Sequence, residues 1–147
     1  IRADKVGSIF ALEEADPTNP HASGSFKYFA VWRGAISATD VYAAGAPDNL
    51  VVDKDGDIWF GTDGNFALQR DNPMPNMGRA HSDSYYFLNL RPDPPGALVP
   101  LSGKAFRFMS VPSDAEATGP AFTPDLRTFF SSVQHPGEEV ASTWSAR

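Results

Sequence analysis

An all-β fold of short antiparallel strands is what this sequence predicts, and three observations predict it. Apolar residues alternate with polar ones or cluster in short runs instead of recurring at helical spacing. Thirteen Pro and twelve Gly fall largely between those runs and punctuate the chain with turns. The composition, 41% hydrophobic with eleven Phe and three Trp, is that of a chain folding around aromatic side chains and not of a disordered tail. At 147 residues there is material for one domain with a core.

Taken in order, strands are predicted at "VGSIFALEEA" (6–15), "SFKYFAVWRG" (25–34), "NLVVD" (49–53), "DIWFGTD" (57–63), "SYYFLNL" (84–90), "KAFRFMSV" (104–111), "GPAFTPD" (119–125) and "RTFFSSV" (127–133). The intervening "DPTNPHASG", "RDNPMPNMGRAHSD" and "RPDPPGALVPLSG" have turn and loop compositions. No segment reads as a helix.

These strands repeat. A shift of 70 positions lays "VVDKDGDIWF" (51–60) over "AFTPDLRTFF" (121–130), pairing Val52 with Phe122, Asp55 with Asp125, Trp59 with Phe129 and Phe60 with Phe130. "FKYF" (26–29) is similar to "FRFM" (106–109), and "IFAL" (9–12) to "YFLN" (86–89). A repeat of four antiparallel strands is the unit of a β-propeller, in which each blade stacks on its neighbours. The expected architecture is therefore a propeller fragment of about two four-stranded antiparallel blades. Residues 1–35 supply the outer strands of one blade, 40–111 a full blade, and 116–147 the inner strands of the last. A sandwich of two packed sheets is the alternative.

A net charge of −6 disfavours nucleic acid and anionic membrane as partners and favours cations. The absence of cysteine excludes disulfides, thiolate zinc sites and cysteine nucleophiles, and leaves the compartment open. No apolar run is long enough for a membrane span, and "IRADKVGSIF" lacks the shape of a signal peptide. A start at Ile1 rather than Met reads as a processed or excised piece of a longer protein.

Candidate site residues come from the carboxylates of "PDNLVVDKDGDIWFGTDG" (47–64). "DKDGD" is not a calcium-binding EF-hand loop, because Gly56 comes fourth instead of sixth and Gly64 occupies the place of the bidentate Glu. Asp53, Asp55 and Asp57 read as the makers of an Asp-Gly hairpin turn. Asp48, just ahead of the strand, is either a turn cap after Pro47 or a group at the entrance of a blade. Its counterpart in the second repeat is Glu116, and two carboxylates at matching blade entrances would converge on a channel mouth, where a cation would neutralise them. His81 and His135 show no metal-binding spacing, and no Gly-x-Ser-x-Gly elbow or phosphate-binding glycine loop occurs.

The block 47–64, the block "AEATGPAFTPDLRTFFSSVQHPGE" (115–138) and the closing "STW" (142–144) resemble the C-terminal part of the PhoX-type alkaline phosphatases of bacteria. Glu116-Ala117-Thr118-Gly119-Pro120, Phe122-Thr123-Pro124-Asp125 and Gln134-His135-Pro136-Gly137-Glu138 are similar to that family's Glu-Val-Thr-Gly, Phe-Thr-Pro-Asp and Gln-His-Pro-Gly signatures, in the same order. The resemblance implies a β-propeller, export to the periplasm or beyond, and hydrolysis of phosphate monoesters at a cluster of calcium and iron ions. It implies Asp48 and Glu116 as metal ligands, with Asp63 a further candidate, and gives Asn49 and His135 roles in loop shape or hydrogen bonding. It names no catalytic nucleophile here. Two departures stand out: the family's iron-binding cysteine has no counterpart in this chain, and 71–83 is unlike the family's short connection. The alternatives are a calcium-binding, lactonase-like propeller and a non-catalytic scaffold or binding module. The segment alone is expected to be inactive, and its partners are expected to be the missing N-terminal blades or a second copy in a homodimer.

Overall fold

The computed structural model describes residues 6–19, 21, 24–35, 40–64, 83–112 and 115–136. Within them lie eight strands: β1 (Ser8–Glu14), β2 (Phe26–Arg33), β3 (Pro47–Val52), β4 (Ile58–Thr62), β5 (Ser84–Leu88), β6 (Ala105–Ser110), β7 (Glu116–Phe122) and β8 (Phe129–Gln134). Each falls on one of the predicted runs, and the described residues contain no helix. Every pairing is antiparallel and sequential, giving sheets β1-β2, β3-β4-β5-β6 and β7-β8.

The β3–β4 hairpin closes around one side chain. Asp53 Oδ1 accepts from the backbone N–H of Asp55 at 2.9 Å and of Asp57 at 3.1 Å, while its Oδ2 accepts from the Trp59 indole at 3.1 Å. Gly56 takes the left-handed conformation the turn requires, with φ 86°. Asp57 departs from the expectation that it shapes this turn with its carboxylate. Its side chain is fully buried, accepts from the Leu90 N–H at 2.7 Å and lies 2.8 Å from the Arg91 Nε as an ion pair without hydrogen-bond alignment. It ties the exit of β5 to the hairpin.

The β7–β8 hairpin repeats the design with one extra residue. The Asp53 N–H bonds to the Asp57 carbonyl in the first turn, and the Thr123 N–H to the Thr128 carbonyl in the second. Val52 therefore faces Ile58, and Phe122 faces Phe129. The 70-residue correspondence holds into the turn and then slips by one, so that Phe129 is the counterpart of Ile58 and not of Trp59, and Phe130 that of Trp59 and not of Phe60. In a strand such a slip exchanges the two faces. Two strand starts also move. β3 begins at Pro47, which places Asp48 inside the strand, and β7 begins at Glu116, because a bulge between Thr118 and Ala121 with Gly119 at φ 65° carries pairing through "ATGP".

The central four-stranded sheet is covered on both faces. On one, Ile58, Phe60, Tyr86, Leu88 and Ala105 form a core with Ile9, Trp32 and Ala44 from the N-terminal segment. The Phe60 ring lies 5.3 Å from both Trp32 and Tyr86. On the other, Tyr85 packs with Val111, Ala115 and Ala117, and Trp59, Phe108 and Phe122 gather around Phe129 at 5.1–5.8 Å. Each fully buried side chain of this size contributes about 1.5–3 kcal/mol, so these two layers dominate cohesion. Gly61 lets β4 approach β7 so closely that a Cβ there would collide with the Ala117 carbonyl. The result is three sheets stacked face to face, not the two packed sheets of a sandwich.

Candidate metal centre

Antiparallel order brings the starts of β3, β5 and β7 and the ends of β4 and β8 to one rim of the stack. Asp48 is the second residue of β3, Asp63 lies just after β4, Asp83 just before β5, Glu116 at the head of β7 and His135 just after β8. The opposite rim holds the Asp53 and Asp125 turns. The two strand entrances singled out from sequence therefore do share an edge, since β3 and β7 lie against each other across the sheet interface.

Glu116 is the electrostatic centre of this rim. Its carboxyl pKa is raised, first by burial, then by the charge of Asp63, and then by a hydrogen bond to Asp48 and that residue's charge; His135 acts in the opposite sense. Carboxylates brought this close are costly unless they share a proton or a cation. Asp48 is exposed and its Oδ2 accepts from the side-chain amide of Asn49, which orients it from the neighbouring position. Asp63 is also exposed, and its N–H donates to the Ala46 carbonyl at 3.1 Å, fixing the strand exit against the β3 entrance. His135 adopts φ 52°, a left-handed conformation uncommon outside glycine, and its Nε2 lies 2.8 Å from Gln134 Nε2.

Asp83 joins the rim without having been singled out from sequence. It accepts from Thr62 Oγ1 at 2.5 Å and from the Gly64 N–H at 2.9 and 3.0 Å, and Thr62 Oγ1 in turn accepts from the Ser84 N–H at 3.1 Å. Burial raises its pKa most, and the charge of Asp63 adds to the rise against those hydrogen bonds. The signal was available: Asp83 stands directly before the apolar strand "SYYFL", at the same kind of entrance as Asp48 and Glu116. His81 and the rest of 65–82, Gly137, Glu138 and the closing "STW" lie outside the described residues.

The donor chemistry is that of hard oxygen ligands, which suits a divalent cation. Among the described residues, however, no group of three or more His, Asp or Glu side chains could hold a metal ion alone. The rim brings Asp48, Asp63 and Glu116 close enough for their charges to act on one another.

Comparison with known proteins gives the family and the fold. The family model described as Alkaline phosphatase PhoX matches residues 2–137. Among solved structures, Pseudomonas fluorescens PhoX in complex with vanadate, a transition state analogue, superposes with a TM-score of 0.64 at 26% sequence identity, over 95% of this chain and 23% of that one. No curated protein matches. The chain thus spans less than a quarter of the PhoX structure it matches. Its three stacked antiparallel sheets are a β-propeller fragment, and the chain belongs to the PhoX alkaline phosphatase family.

Proposed function

We propose that this chain is the segment of a metal-dependent phosphomonoesterase that carries one side of its metal rim, with Asp48 and Glu116 as calcium ligands and Asp63 beside them. The observation that carries the reading is the raised pKa of Glu116 in the company of Asp48 and Asp63, a like-charge group suited to a cation. When bound, a divalent cation there would offset negative charge developing on a transferring phosphoryl group. The chain's own part is positional. Asn49 aims Asp48, the Asp83–Thr62–Gly64 bonds hold the β4 exit beside it, and the protein wall behind Glu116 limits its solvation. Iron, the remaining calcium ligands and the nucleophile would come from outside this segment, and the whole protein would work in the periplasm or outside the cell.

We infer further that the segment by itself lacks appreciable phosphatase activity, because a metal cluster needs every ligand held in place and the chain spans 23% of the PhoX structure it matches. The test is a chimera in which this chain replaces the matching part of Pseudomonas fluorescens PhoX. It should hydrolyse a simple aryl phosphate, Glu116→Gln and Asp48→Asn should each lower that activity by about 10²-fold or more, and the 147-residue chain with calcium should show none. A chimera whose activity is indifferent to both substitutions would remove them from the metal rim.

A further inference from the structure

Left-handed backbone is uncommon outside glycine, and among the described residues it occurs at Ala46 (φ 51°), Leu126 (φ 57°) and His135 (φ 52°). Leu126 belongs to the β7–β8 turn. Ala46 and His135 instead lie on the carboxylate rim, at the entrance of β3 and the exit of β8, and each directly precedes a proline. A proline crowds the residue before it toward extended backbone, so both positions depart twice from what their chemistry favours. Alanine also has no side-chain oxygen with which to bond its own backbone, so its surroundings must hold the conformation. We propose that Ala46 is a positioning residue of the cation site, its left-handed backbone setting where Asp48 stands opposite Glu116. This rests on the reading of Asp48 and Glu116 as ligands given above.

Ala46 is held from both sides. Its N–H donates to the Val6 carbonyl at 2.6 Å, and its carbonyl accepts from the Asp63 N–H at 3.1 Å. One residue thus ties the entrance of β3 both to the segment ahead of β1 and to the exit of β4. Pro47 is backed by Gly7, where a Cβ would stand 2.7 Å from the Pro47 Cδ, so the proline ring has no room to retreat. Beyond Pro47 the strand bulges. Pro47 pairs with Thr62 and Leu50 with Phe60, so Asp48 and Asn49 together oppose Gly61 alone. A bulge re-aims the side chains it carries, and the direction they take depends on the backbone that feeds it. Gly61 also lies against β7, since a Cβ on it would collide with the carbonyl of Ala117, the residue after Glu116. The same glycine therefore faces the Asp48 bulge and abuts the neighbour of Glu116, which brings the two carboxylates together. Turning Ala46 to the extended backbone its proline favours would break one of its two hydrogen bonds or swing the β3 entrance away from this point.

The chimera with Pseudomonas fluorescens PhoX tests this through two calcium titrations, one of aryl phosphate hydrolysis and one of the calcium-induced rise in melting temperature. Ala46→Val, whose branched side chain resists a positive φ, should raise the half-saturating calcium concentration in both by about tenfold or more. Ala46→Gly, which takes that backbone freely, should leave both within about twofold of the parent. Leu126→Val puts the same strain on the opposite rim, so it should lower the calcium-free melting temperature and move neither calcium value. If Ala46→Val does not fold, Gly7→Ala pushes on Pro47 from behind and should likewise raise both values. The proposal is overturned if the folded variant of these two keeps the parent's calcium requirement, if Ala46→Gly loses as much as Ala46→Val, or if Leu126→Val shifts the requirement as far. Asp48→Asn separates the two readings. Where it raises the calcium requirement and the Ala46 variants do not, the positioning claim alone fails; where it does not, the assignment of Asp48 as a ligand fails and the positioning claim falls with it.

Discussion

At the scale of the residue, two buried polar groups hold separate pieces together, and each makes a measurable prediction. Asp57 is fully buried and satisfies the Leu90 N–H while pairing with Arg91. Asp57→Ala leaves that N–H without its acceptor and should cost about 2–3 kcal/mol in a denaturant titration, whereas Asp57→Asn keeps an acceptor of the same size and should cost less. Tyr85 places its hydroxyl between the carbonyls of Thr118 and Ser132, the latter at 2.7 Å, and accepts from the Ser132 N–H at 3.2 Å. It thereby fills the gap the bulge opens in the β7–β8 ladder, and burial raises its pKa. Tyr85→Phe should cost about 1–3 kcal/mol and speed amide exchange at Ser132 first. Neither role was legible in the sequence. "DKDGD" names a turn but not which carboxylate leaves it, and a tyrosine in an apolar strand does not announce which blade its hydroxyl reaches.

At the scale of the element, short apolar runs and turn chemistry were enough to place all eight strands, because most strands set residues against a core and the turns between them demand Gly, Asp or Pro. Register was not legible past the second turn, since one added residue in Thr123–Thr128 leaves the composition unchanged while exchanging the faces of β8. The candidate site was half legible for a related reason. Matching entrances bring Asp48 and Glu116 together, but Asp83 is assigned to the rim only once β5 is known to start on the same edge. The turns also carry an asymmetry: Leu126, at φ 57°, occupies the place that Gly56 fills at φ 86°. A side chain in that conformation costs roughly 1–2 kcal/mol. Gly56→Leu should therefore destabilise by about that amount, and Leu126→Gly should stabilise by less, because the leucine side chain is half-buried and glycine frees the unfolded chain. Thermal melts of the two variants moving in the same direction would contradict this account of the turns.

At the scale of the whole molecule, the raised carboxylates of the rim make stability depend on pH. Glu116 and Asp83 both have folded-state pKa values raised above their ordinary ones of 4.5 and 3.8. The folded state therefore holds their protons more tightly than the unfolded chain does, and their contribution to stability is complete below the ordinary values and lost as pH rises through the raised ones. Asp16 and Asp125, held down chiefly by hydrogen bonds from Thr18 and Thr123, act in the opposite sense but are exposed to solvent, which weakens their effect. In calcium-free buffer, then, the melting temperature should decline from the acid end of the carboxylate range toward neutral pH. Glu116→Gln, which cannot ionise, should flatten that decline and raise the neutral-pH melting temperature. Calcium should reverse the order at neutral pH: a cation that binds only the folded rim stabilises the parent chain by mass action, while the glutamine variant gains less because it has given up a charged ligand. The crossing of the two variants as calcium is added is the diagnostic result. If Glu116→Gln melts below the parent in calcium-free buffer at neutral pH, the carboxylates on this rim are not under mutual strain, and the case for a cation between Asp48 and Glu116 falls with it.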